Sequence, residues 1–314
     1  MKTWTFFLAG LAVGALTFGA ARLTGNDYVF FAGYVVLQSV VLATAWNILG
    51  GYTGYVNFGS SAFFAVGAYT TVFFYKTFPM PVPLLVLCGG VVSGIIGLGM
   101  GYLTLRLRGA FFAIATIALL VVLQTLIVNW TYVGGSRGAY IIRPQSVPLL
   151  GSYIQYLFLI MLTLAVVAVT CARLIERSQL GFGFAAIRDD EMAAEASGVP
   201  TLKLKLIATT ISGAFMGMAG APFPYYISYL QPSSAFVLDY SVNAIAMSMI
   251  GGTSTWLGPV IGALLLGTLQ QVASVTASPA VNLLIVGLLL IFFVIVAPNG
   301  IVGLAQSLRA SMRR

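Results

Sequence analysis

Residues 110–130 read AFFAIATIALLVVLQTLIVNW, twenty-one consecutive positions without a charged side chain. An α-helix rises about 1.5 Å per residue, so this run reaches roughly 30 Å, the thickness of a bilayer's hydrocarbon core. Runs on either side repeat the pattern: Phe6–Ala20, Phe30–Leu49, Gly59–Tyr75, Leu84–Leu105 and Tyr153–Leu174. Leu204–Tyr229, Tyr240–Ile250, Leu257–Ala277 and Val281–Val296 complete ten, of which Tyr240–Ile250 is too short to cross alone. The 314 residues are 60% hydrophobic and only 7% charged, with a mean hydropathy of +1.00. A soluble domain carries roughly 25% charged residues. The reading is therefore an all-α polytopic membrane protein of about ten transmembrane or partly re-entrant helices, one domain over residues 1–314. A large soluble enzyme is excluded.

Met1-Lys2, the apolar run behind it and Gly19-Ala20-Ala21 have the outline of a secretory leader; the run is read instead as the first membrane helix. Basic residues test the topology, because they collect in cytoplasmic segments. With Lys2 inside and every run crossing once, the cytoplasmic side holds Lys2, Arg106, Arg108, Arg173, Arg177, Arg188, Lys203, Lys205, Arg309, Arg313 and Arg314. The other side holds Arg22, Lys76, Arg137 and Arg143. Both termini then fall in the cytoplasm. The net charge of +8 thus serves topology, and no nucleic-acid partner is expected.

Five of the seven acids, Glu176, Asp189, Asp190, Glu191 and Glu195, lie in one stretch on the cytoplasmic side, in a loop over about 176–203. Ala185, Ala186, Met192, Ala193, Ala194 and Ala196 make it helical. Gly198-Val199-Pro200 then stops it. A short alanine-lined helix between two charge clusters suits docking; a solvated loop is the plain alternative.

Two glycine-rich interruptions follow apolar runs and open new helices. One is Leu49-Gly50-Gly51-Tyr52-Thr53-Gly54-Tyr55-Val56-Asn57-Phe58-Gly59-Ser60-Ser61; the other is Ile250-Gly251-Gly252-Thr253-Ser254-Thr255-Trp256-Leu257-Gly258-Pro259. Helix breaks at membrane depth persist only where protein or a water-filled cavity satisfies the freed backbone, and paired breaks point to a substrate path. Tight interhelical turns are the alternative.

Catalytic material is missing. There is no histidine, the two cysteines Cys88 and Cys171 sit apart in apolar runs, and no lysine follows a glycine as a phosphate loop requires. No metal site and no cofactor is expected. Asp239 reads as an interfacial residue near the outer side. Gly90-xxx-Gly94, Gly97-xxx-Gly101 and Gly213-xxx-Gly217 let helices approach closely, within the chain or against a second subunit.

The segment Gly51-Tyr52-Thr53-Gly54 through Asn57-Phe58-Gly59 to Thr70 resembles the first signature of the permease subunits of branched-chain amino acid ABC importers, specifically the second membrane subunit. Leu105-Arg106-Leu107-Arg108-Gly109 is similar to the second signature, and Arg177 to Gly198 to the third. Ile250-Gly251-Gly252 with Leu257 to Ala263, and Pro298 to Gly303, complete the order. The third also resembles the EAA loop of importer permeases, with Met192 where that pattern has glutamate and Glu191 one place earlier.

The resemblance implies a transport subunit that is not itself an enzyme, in a bacterial-type plasma (inner) membrane. It implies a second homologous permease as heterodimer partner, two cytoplasmic ATPase subunits that bind the ATP, and a periplasmic or extracellular solute-binding protein. Arg188, Asp189, Glu191, Ala193, Ala194, Glu195 and Gly198 would form the coupling helix that an ATPase grips. From the two glycine breaks, rather than from the resemblance, Asn47, Thr53, Asn57, Ser60, Ser61 and Thr253 are expected to line or support the path, with free backbone N–H groups near Gly59 meeting the solute. The expected solute is a branched-chain or related amino acid. Urea, short amides or aromatic acids are alternatives in the same family, since Ser60 and Ser61 stand where many relatives have histidine. A stand-alone channel for a small neutral solute is the alternative from another class.

Overall fold

Eight helical stretches are long and apolar enough to cross a bilayer in the computed structural model, which describes residues 3–23, 25–78, 80–143, 146–147 and 151–276, with 284, 287–289, 291–292, 295 and 300–304 beyond them. Most of the run Val281–Val296 and Lys2, Pro298, Asn299, Arg309, Arg313 and Arg314 lie outside the described residues. The chain is an all-α polytopic membrane protein.

The first half comprises α1 (Thr3–Leu23), α2 (Asp27–Thr53), α3 (Ser60–Thr77), α4 (Val82–Thr104) and α5 (Ala110–Val128). A loop carrying β1 (Ala139–Tyr140), β2 (Ser146–Val147) and β3 (Gly151–Ser152) leads to α6 (Tyr153–Glu176). Two short helices follow, α7 (Gln179–Asp189) and α8 (Glu191–Ala196), rather than the single one that the alanine-rich stretch predicts. Then come α9 (Thr201–Gly220), α10 (Phe223–Ile227), β4 (Tyr229–Leu230), α11 (Pro232–Ala235), α12 (Asp239–Gly251) and α13 (Leu257–Thr276). β1 pairs with β4 and β2 with β3, both antiparallel. The short run Tyr240–Ile250 is completed by α11, the two making one broken span over Pro232–Gly251.

α2, α3, α9 and α12 form the centre, with most of α3 buried, whereas α1 and α5 bury few residues. No hydrophobic effect operates between helices in lipid, so close approach of small residues carries the packing. A methyl on Gly67 would lie 2.0 Å from the Gly217 carbonyl oxygen, and one on Gly217 would lie 2.6 Å from the Gly89 carbonyl oxygen. α3, α4 and α9 therefore meet backbone to backbone. Gly90, Gly94, Gly97 and Gly213 lie in the same α4–α9 contact, so these small-residue spacings serve packing within the chain.

The two ends differ in charge. Arg108, Arg173, Glu176, Arg188, Glu191 and Lys205 gather at one end: Lys205 and Arg108 pair with Glu191 and Arg188 with Asp189, while Arg173 lies over the rings of Phe6 and Trp256 and Glu176 accepts from the Trp256 backbone N–H. At the other, Lys76 donates to the Tyr132 carbonyl, Tyr229 to the Arg137 carbonyl and Ser152 to Asp27. Both glycine-rich breaks open toward the charged end. Cys88 and Cys171 are unpaired and partly buried.

Candidate functional site

Between α2 and α3 the chain leaves the helix at Gly54, whose φ of 78° is the left-handed conformation that glycine adopts most readily. Its N–H still closes the last turn on the Gly50 carbonyl at 3.1 Å. Residues 55–59 then run back along α2 before α3 begins. Such a segment must be satisfied from within, and it is. Trp46 Nε1 donates to the Asn57 carbonyl at 2.9 Å, and the Ser60 hydroxyl to the same carbonyl at 3.0 Å. The Gly59 N–H donates to Asn57 Oδ1 at 2.8 Å and the Phe58 N–H to Thr116 Oγ1 at 3.2 Å. From α12, Ser241 Oγ accepts the Ser61 N–H at 2.8 Å and lies 3.2 Å from the Ser60 hydroxyl. The backbone expected to be free near Gly59 is thus capped, because a partner 180 residues away supplies the acceptor.

Asn47, Thr53, Asn57, Ser60 and Ser61 are all buried. Thr53 returns its hydroxyl to the Leu49 carbonyl at 2.6 Å. Asn47 and the half-buried Thr253 meet across Gly51, where a methyl would lie 1.9 Å from Asn47 Oδ1 and 2.8 Å from the Thr253 carbonyl oxygen. The first break is thereby packed against the second. The second is a tight turn: Gly251, Gly258 and Gly262 bring α12 and α13 into backbone contact, and Gly300 lies against Gly252.

The short helix α8 is built as its sequence requires. Asp190 caps it, Oδ1 accepting from Met192 N at 2.9 Å and Ala193 N at 3.1 Å, the ordinary use of aspartate at a helix start. Gly198, at φ 85°, ends it, and Val199 N returns to the Ala194 carbonyl at 3.0 Å. Ala194 is buried, whereas Arg188, Asp189, Ala193, Glu195 and Gly198 are exposed. Met192 and Phe182 also stand out, 64% and 73% exposed.

Glu191 alone of the α8 carboxylates turns inward. Its Oε1 lies 2.7 Å from Lys205 Nζ in the first turns of α9, and its Oε2 accepts from the Tyr55 hydroxyl at 2.5 Å. The same ammonium donates to Tyr55 at 3.0 Å and to the Leu105 carbonyl, past the end of α4, at 2.9 Å. Lys205 is only 3% exposed. Four chain segments therefore converge on one buried charge. Burial disfavours the Glu191 carboxylate, but Lys205, Tyr55 and Arg108 outweigh it and hold the carboxyl below its usual range. Tyr55 moves the other way, its phenol raised by burial and by the Glu191 carboxylate. Arg108, half-exposed, stands 3.8 Å from Glu191 and 3.7 Å from Glu195, contacts that solvent screens. A cavity of about 410 Å³ opens here between the first break, Arg108 and Arg188.

A second link joins the breaks. Glu176, at the end of α6, accepts from Trp256 N at 2.6 Å and from the Tyr52 hydroxyl at 3.5 Å.

The model of the permease component of branched-chain amino acid transport systems matches residues 28–294. The chain belongs to this family. The high-affinity branched-chain amino acid permease LivM of Salmonella typhimurium is 26% identical over 292 residues, 85% of this chain and 68% of that protein. A probable branched-chain amino acid permease, LivH, of Methanocaldococcus jannaschii is 21% identical over 88% of this chain and 93% of its own. The autoinducer 2 import permease LsrC of Yersinia enterocolitica is 26% identical over 59% and 53%. No solved structure matches.

Three of the stretches that carry the resemblance, far apart in sequence, meet at the Lys205 cluster: Tyr55 from the first, Leu105 and Arg108 from the second, Glu191 from the third. Sequence reasoning counted Lys205 only as a topology charge and passed over Tyr55. The available signal was a lysine inside an apolar run, since an ionisable residue within a spanning helix is rarely idle.

Proposed function

We propose that this permease is the membrane-spanning subunit of an ATP-driven importer, passing branched-chain or related amino acids delivered by a periplasmic or extracellular binding protein. It works beside a second, homologous permease subunit and two cytoplasmic ATPases. The charged end faces the cytoplasm of a bacterial-type inner membrane, both termini lie there, and residues 1–314 act as one transmembrane domain. The permease carries no cofactor; ATP belongs to its partners.

One observation carries the reading. The buried Lys205–Glu191 pair ties α8 to Tyr55 and hence to the first break. α8 offers its exposed face, Met192, Ala193 and Glu195 with Arg188, Asp189 and the Gly198 stop, to an ATPase groove. Glu191 and Ala194 hold it to the membrane domain. When an ATPase displaces α8, Glu191 draws on Lys205 and Tyr55, and the segment 54–59 that starts α3 follows. Asn47, Thr53, Asn57, Ser60, Ser61 and Thr253 hold the two breaks together, supporting the path from behind.

The reading is tested by purification and reconstitution. The tagged permease should bring down a second membrane subunit and two ATPase chains. Vesicles holding the whole complex should accumulate leucine only with ATP and the binding protein. Accumulation against a gradient by the permease alone would refute it.

A further inference from the structure

Asp239 opens α12 and is exposed. Its depth follows from two independent registers. Ser241, two residues on, bonds Ser61 at the start of α3, and ten residues of helix, about 15 Å, separate it from Gly251 at the charged end. On α3, Gly67 abuts Gly217 of α9; counting back along both helices sets Ser60 level with Thr210, about 13 Å inside the start of α9. Farther out, the ring of Phe236 stacks on Tyr69 at 6.2 Å. Asp239 therefore lies near the middle of spans 18–27 residues long, about 27–40 Å, not at the outer interface its sequence suggested. The other acids, Asp27, Glu176, Asp189, Asp190, Glu191 and Glu195, lie at the ends.

Among the described residues no basic side chain pairs with Asp239. Asn243 lies one turn on, on the same face, and accepts from Gln270 of α13 at 3.0 Å, so the polar character continues beside the carboxylate. A first-turn acid gains something from the helix dipole, but several-fold less than a carboxylate loses by facing lipid at mid-bilayer. Carboxylates at that depth face the interior of a helix bundle or a water-filled cavity and mark solute and ion pathways.

We propose that Asp239 faces the translocation path and meets the ammonium group of a passing amino acid. The proposal rests on the importer assignment. The exposed face with Asn243 is then the wet side of α12, and the capped start of α3 is the wall behind it. An uncharged amide could donate an N–H to the carboxylate, but only a cationic group also pairs its charge.

The test uses the complete complex in vesicles with leucine as probe. Asp239→Asn should raise KM for leucine about tenfold, the worth of one charge-assisted hydrogen bond, with a smaller change in kcat. Asp239→Glu should restore most of the loss. Asp239→Cys in the assembled complex should react with a cationic thiosulfonate from the water phase, faster than with an anionic one, and leucine should slow the reaction. An unchanged KM in Asp239→Asn overturns the proposal. So does an introduced thiol that is silent to both reagents, which would mean that a partner subunit covers the position. If the wild-type complex takes up no leucine, the importer assignment falls instead, and the thiosulfonate reaction still decides whether position 239 faces water.

Discussion

Replacing Gly67 by alanine sets a methyl 2.0 Å from the carbonyl oxygen of Gly217 and 2.6 Å from its Cα. Both atoms are backbone and neither has a rotamer to change. Restoring ordinary contact requires α3 and α9 to part by more than about 1 Å, and a gap of that size forfeits a quarter to a half of each dispersion contact it opens. Overpacking costs about 1–3 kcal/mol; with backbone on both sides the upper end applies, about 3 kcal/mol. At roughly 2–4 °C per kcal/mol for a chain approaching this size, the melting temperature should fall by roughly 6–12 °C. Fluorescence-detected size-exclusion after heating in mild detergent reads this directly. Gly94→Ala is the control, since its methyl would sit 3.4 Å from the Ala214 Cβ, an ordinary contact, and it should melt within about 2 °C of wild type. If Gly67→Ala melts with wild type, or Gly94→Ala falls as far, the backbone contact is not what holds α3 to α9.

Trp46→Phe removes the indole donor to the Asn57 carbonyl and should cost about 1 kcal/mol, seen as a lower melting temperature; no change would mean that the bond does not hold the first break. Asp190→Ala strips two N–H groups at the start of α8 of their acceptor and should weaken that helix by about 1 kcal/mol. Capture of the ATPases should suffer while the melting temperature of the membrane domain holds, and undiminished capture would argue that α8 is not gripped. Glu191 supplies a pH test. Its carboxyl titrates below the ordinary range, so its contribution is complete above about pH 4 and is lost as pH falls through the lowered value. Thermal stability of wild type should drop further than that of Glu191→Gln below about pH 4; parallel curves would contradict this.

Much of the fold was legible because lipid demands long apolar helices and charge fixes which end is which. The runs at Phe30–Leu49, Leu84–Leu105, Ala110–Trp130, Tyr153–Leu174 and Leu204–Tyr229 each became a spanning helix. The stop at Gly198-Val199-Pro200 was equally readable, since glycine and proline act locally. What escaped was long-range. Nothing near Ser61 announces that Ser241 will accept its N–H, so the start of α3 read as open. Hydropathy cannot see that Pro232–Ala235 joins α12 into one span, which moved Asp239 from the rim to the middle. Nor does spacing tell that Lys205 reaches Tyr55 and Leu105, 150 and 100 residues away. Nor does it announce that Glu191, within the helix expected to dock an ATPase, turns its carboxylate to Lys205 and Tyr55.

The cap on α3 has a consequence for biogenesis. Ribosomes deliver Ser61 well before Ser241, so the nascent protein carries an unfinished helix start while α4 to α11 are inserted. Only when α12 arrives is the polar notch closed. A chain truncated before residue 239 would therefore hold the Ser61 N–H without its acceptor, a debt inside the membrane that only the late-arriving segment can settle.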